Sequence, residues 1–156
     1  MKKTFKTSEI MKAYNIISNA KYGKLTDDDK IKVWKITRSL KPIATKFDED
    51  IKDAQEKMKP AADFDENLKK AQEYERLIRD PKTDASKLPM GAAEYDKFIE
   101  EFKEYQKLID KAIKEFADKE NSIEIEAIND NAMSMLMASN DWTFEQVMAV
   151  GEVICD

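Results

Sequence analysis

Two apolar stripes constrain this chain more than anything else in it. The first runs Val33, Ile36, Leu40, Ile43, Phe47, Ile51, Ala54, Met58, and the second runs Tyr95, Phe98, Phe102, Tyr105, Ile109, Ala112, Phe116. Steps of three and four residues place such positions along one side of a helix. The residues between them are mostly Lys, Glu and Asp. A narrow stripe with a charged remainder suits a helix that lies along another helix. The stripes span 26 and 22 residues, or roughly 39 and 33 Å at about 1.5 Å per residue. They read as the two arms of a long antiparallel helical hairpin.

Composition agrees with that shape. Charged residues make up 38% of the 156 and glycine contributes only 3, a mix that favours long helices over sheets. The apolar fraction of 42% suffices for a core. Length suits one domain over 1–156, or one domain with a projecting hairpin. No apolar run approaches the ~20 residues that span a bilayer, and neither a membrane anchor nor a signal peptide is expected. The single cysteine, Cys155, excludes a disulfide framework and points to a reducing compartment.

The missing residue types narrow the function classes. Histidine is absent, which removes the commonest general base and the commonest metal ligand. Gly23, Gly91 and Gly151 stand alone, so no glycine-rich phosphate loop exists. The triplet Asp27, Asp28, Asp29 suggests a metal site. Carboxylates in a first helical turn are explained as well by the positive end of the helix dipole. We therefore expect no enzyme, no cofactor and no metal, and no small-molecule substrate is evident.

Charge is uneven along the chain. Residues 1–46 hold 12 Lys/Arg against 4 Asp/Glu, a net +8, and residues 47–156 hold 15 against 28, a net −13. Opposite halves can attract each other in an antiparallel pairing. A basic surface for nucleic acid through Lys30, Lys35, Arg38 and Lys41 is the sharper reading. The overall charge of −5 argues against it, as does the lack of interleaved exposed aromatics.

Taken in order, residues 2–6 predict a short edge strand with Phe5 inward. Thr7 or Ser8 is expected to cap a helix that carries Ile10, Tyr14 and Ile17 and ends at Gly23. Thr26 caps the next helix, about 27–58, which continues through Pro42 as one bent rod because the stripe keeps its register there. Trp34 is placed beside the stripe, covering the first helix. A shorter helix follows over 63–79, with Phe64, Leu68, Ala71, Tyr74 and Ile78 inward. Residues 80–91, with two prolines and a glycine, form the hairpin's tip loop.

The second arm occupies about 92–119. The base of the fold is formed by 1–23 and 122–156. Ser122 to Ile128 alternates apolar and acidic, as a half-buried strand does, and its expected partner is 2–6. Met133, Met135, Leu136 and Met137 read mainly as core. Thr143 and Gln146 form a capping box, with Trp142 and Val147 as a hydrophobic staple. The fold class is thus mainly α: a helical hairpin, short helices and a small two-stranded antiparallel ribbon. The last helix is so apolar that it must dock, against the body or another protein. Its Phe144, Val147, Met148, Val150 and Ile154 are the expected interaction surface.

Three stretches together resemble an uncharacterised family of small helical proteins encoded by tailed bacteriophages and prophages near tail genes. They are Ser8-Glu-Ile-Met-Lys-Ala-Tyr14 followed by Leu40-Lys-Pro42, then Glu124-Ile-Glu-Ala-Ile128, and last Asn140-Asp-Trp-Thr-Phe-Glu-Gln-Val147. Residues 60–92 lie outside the likeness and read as an insertion. The resemblance implies an accessory protein acting through protein–protein contacts in virion or tail assembly. It implies the bacterial cytoplasm or the virion as its place, and a protein partner or self-association; the charge balance and the short apolar runs above argue against nucleic acid and membrane. A small acidic regulator or inhibitor of a host enzyme is the alternative, prompted by the carboxylates Asp48, Glu49, Asp50 and Asp53.

Overall fold

The computed structural model describes residues 1–156. The fold is mainly α, with one two-stranded ribbon. In order it has β1 (Lys2–Lys6), α1 (Thr7–Ile17), α2 (Asp27–Lys57), α3 (Phe64–Ile78), α4 (Ala92–Asp118), β2 (Glu120–Glu124), α5 (Asp130–Ser139) and α6 (Phe144–Ile154). A single 3-10 turn, Ala85–Lys87, interrupts the loop between α3 and α4. The two expected arms are the long helices α2 and α4. No helix is long and apolar enough to cross a membrane.

The chain packs as two compact units. One comprises Met1–Asp50 with Lys114–Asp156, and the other Ile51–Ile113. Each has its own core, and α2 and α4 contribute a segment to both.

In the first unit, β1 and β2 pair antiparallel, with Lys2 opposite Glu124 and Lys6 opposite Glu120. This is the expected ribbon, with β2 starting two residues earlier. Past its end, Ile125 donates its N–H to the Met1 carbonyl at 2.8 Å, and Ile128 donates to Ile154 at 2.9 Å. Those bonds bring the last turn of α6 beside the segment that follows β2. The core gathers Ile10 and Ile17 from α1, Val33, Ile36 and Leu40 from α2, Leu136 from α5 and Val153 from α6. The N-terminal half of the first stripe is therefore covered by α1, α5 and α6.

Thr7 does not cap α1. It is buried, its hydroxyl donates to the Lys119 carbonyl at 3.1 Å, and it accepts from the Asn121 side-chain amide at 2.9 Å. The Glu9 carboxylate instead accepts from the Lys6 N–H at 2.7 Å, closing the first turn from inside. α1 stops at Ile17, short of Gly23, where Ser18 and Asn19 side chains turn back onto the Asn15 carbonyl. Side-chain bonds to backbone compete with helix continuation in this way. Thr26 does cap α2: its hydroxyl accepts from the Asp29 N–H at 3.2 Å. α2 then runs unbroken through Pro42.

The second unit is built on aromatic rings. Phe64 at the start of α3 is buried against Phe98, Phe102 and Tyr105 of α4, with centroids 5.6, 6.3 and 4.7 Å away. Tyr74 stacks on Tyr95 at 4.6 Å, and the Tyr95 hydroxyl donates to Glu75. Met90 of the connecting loop is buried in the same cluster. Tyr105 reaches further and donates to the Gln55 carbonyl of α2 at 3.1 Å. The aromatic half of the second stripe is thus covered by α3, while Ala54, Ile109 and Ala112 are buried in the same unit. Ile78, expected inward, is exposed, because α3 ends there.

Candidate functional site

The structure divides the five expected interaction residues of α6. Val150 and Ile154 are fully buried in the first core, so they hold α6 to the body and offer nothing to a partner. The reason is geometric: the apolar arc of α6 is wider than one contact, and its inner part is taken up by packing on α1. Val147 is half-buried against the core's edge. Phe144 and Met148 remain outside, 80% and 47% exposed. They stand four residues apart and so share a face.

Their presentation is well defined locally. The Thr143 hydroxyl accepts from the Gln146 N–H at 3.3 Å, and the Gln146 side chain accepts from the Thr143 N–H at 2.9 Å. This capping box, expected from the sequence, closes the first turn of α6, from which Phe144 projects. Trp142 and Val147, the expected staple, both pack on the core's edge. The surroundings are acidic. Residues 120–156 contain eight Asp and Glu and no Lys or Arg. Lys12 of α1 comes within 3.9 Å of Glu145 at this face.

A second exposed site lies on α2 and was not foreseen. Trp34 does not cover α1; it is 58% exposed, and its neighbour Ile31 is also exposed. Trp34 forms one wall of a groove of about 350 Å³, with Ser18, Tyr22, Lys30, Val33 and Thr37 as the others. The Arg38 guanidinium sits over the indole, 5.4 Å from the ring centroid, a cation–π arrangement. The Tyr22 hydroxyl donates to the Ile17 carbonyl, and burial raises its pKa. The signal available in the sequence was Trp34 itself, set among Lys30, Lys35 and Arg38. A tryptophan off the stripe on a basic helix face has no core to enter.

The four basic residues considered for nucleic acid are differently placed. Lys30 pairs with Asp27 at 3.2 Å and Lys35 with Glu126 at 3.1 Å. Arg38 lies on Trp34, and Lys41 is exposed. Of the acidic row considered for enzyme inhibition, Asp50 is paired to Lys46 at 3.0 Å, and Asp48, Glu49 and Asp53 are exposed.

Compared with protein-family models, with curated proteins and with solved structures, the chain finds no match in any of the three.

The remaining chemistry is structural. A hollow of about 200 Å³ runs between Pro42, Ile43 and Phe47 of α2 and Phe116 of α4, with Thr7 and Asn121 at one end. The polar groups there already bond one another and the Lys119 carbonyl. Cys155 is half-buried, and burial pushes its thiol pKa up, with the Asp130 carboxylate adding to the effect. No group of three or more carboxylates or thiols converges to hold a metal.

Proposed function

We propose that this chain is a phage or prophage accessory protein that acts through protein–protein contacts in virion or tail assembly. One observation carries the reading: Phe144, a large apolar side chain, stands 80% exposed at the head of a rigid, doubly capped helix turn. Exposed aromatics next to a second exposed apolar residue are the anchors that protein interfaces use. The resemblance of the three quoted stretches supplies the phage context. The bacterial cytoplasm or the virion is the corresponding place.

A photo-crosslinking residue at position 144, in cells expressing the surrounding phage genes, tests the reading. A discrete protein adduct is expected at 144 and not at the exposed control position Lys107. Adducts at neither position, or equal labelling at both, would overturn it.

The regulator reading has one observation in its favour. The 37 residues 120–156 hold eight Asp and Glu and no Lys or Arg. Under that reading the chain binds a basic cleft of a host enzyme. Titration against host DNA-processing enzymes checks it, with inhibition that fades as salt rises the expected outcome.

A further inference from the structure

The first unit carries two exposed apolar features of opposite electrostatic character. On α6, Phe144 and Met148 protrude between Asp141, Glu145 and Glu152, in a stretch without a cation of its own. Beside α2, Tyr22 joins Val33 and Trp34 in lining a groove that also holds Lys30, and Arg38 lies over the Trp34 indole. The projecting feature is flanked by carboxylates; the receiving one is concave, with the cations Lys30 and Arg38 beside it. The groove's volume of about 350 Å³ is ample for one aromatic side chain.

We propose that the Trp34 groove receives the Phe144–Met148 projection of a second copy of this chain. This assignment rests on the reading above, that the exposed apolar side chains are contact residues. In the contact, the Phe144 ring lies between Tyr22 and Trp34. The Asp141 and Glu145 carboxylates face Lys30 and Arg38. Opposite potentials at the rim steer and orient the approach, and apolar burial at the centre holds it. The two surfaces differ, so each copy uses one to give and the other to receive. Such a head-to-tail contact does not stop at two copies: it closes into a ring or grows as a filament.

That asymmetry gives the test. Light scattering on the purified full chain at low salt, over a wide dilution series, should show a mass that rises with concentration beyond twice the monomer. High salt should lower it. Phe144→Asp and Trp34→Asp should each be monomeric. Mixed one to one, they should form a species of twice the monomer mass and no more, since one variant keeps its groove and the other its projection. A charge exchange guards against a Trp34 variant that misfolds. Arg38→Glu and Glu145→Lys should each weaken assembly, and the double variant should recover it. A wild-type chain that stays monomeric, a mixture that stays monomeric, or a fixed dimer indifferent to Trp34→Asp would each overturn the proposal. If the chain is monomeric yet position 144 crosslinks to a different protein, the self-contact falls and the functional reading above stands. If position 144 crosslinks to nothing, both fall.

Discussion

Thr143 and Phe144 are adjacent, and their predicted contributions to stability are opposite. Thr143 satisfies an otherwise free N–H of the first turn of α6, so Thr143→Ala should cost about 1 kcal/mol in chemical denaturation. Phe144 touches solvent on most of its surface, so Phe144→Ala should change stability by less than about 0.5 kcal/mol. A large loss from Phe144→Ala would show that the ring is packed. Cys155 offers a pH signature. Burial raises its pKa, so the folded chain keeps the thiol proton to higher pH than the unfolded chain does. That contribution to stability is full below the unfolded thiol value, ~8.5, and is lost as pH rises through the folded one. Alkylation of Cys155 in the folded chain should accordingly reach half its maximal rate above ~8.5; a midpoint below that value would contradict the burial. At this scale the sequence was readable where the chemistry is local. A Thr three residues before a Gln is enough to announce a cap. The division of α6 into buried Val150 and exposed Met148 was not readable, because it depends on where α1 lies against it.

Helices were legible as elements because the three-and-four spacing is carried by consecutive residues. α2 and α4 match their expected spans to within two residues. What covers each stripe was not legible. Val33, Ile36 and Leu40 look no different in sequence from Ile51 and Ala54, yet the first three enter the first unit's core and the other two belong to the second unit. The end of α1 escaped for a related reason: Ser18 and Asn19 terminate it through side-chain bonds to Asn15, ahead of the glycine that looked decisive. Pro42 is the informative position within α2. It is exposed and its ring replaces a backbone donor in mid-helix. Pro42→Ala should stabilise the chain by about 1–3 kcal/mol, seen as a higher denaturant midpoint with an unchanged slope. No gain would mean that the surrounding fold already accommodates the missing donor.

Two cores in one chain imply two separable losses. Phe64 is almost wholly buried among three rings, so Phe64→Ala should cost about 3–5 kcal/mol. Hydrogen exchange should quicken first across 64–109, while α1, α5 and α6 stay protected. Uniform acceleration over the whole chain would show that the cores melt as one. The division itself was hidden in the sequence, because both stripes run through it without a break, although residues 60–92, outside the family likeness, fall wholly within the second unit. The ribbon has a further consequence, for the order of events on the ribosome. β1 and α1 are synthesised early but pair with β2 and α6, more than a hundred residues later. Residues 51–113 hold their own core, made by residues that are all synthesised before β2. The second unit can therefore form during translation while the first waits, its apolar residues held open for chaperones until the segment around Ile128 and Ile154 has emerged.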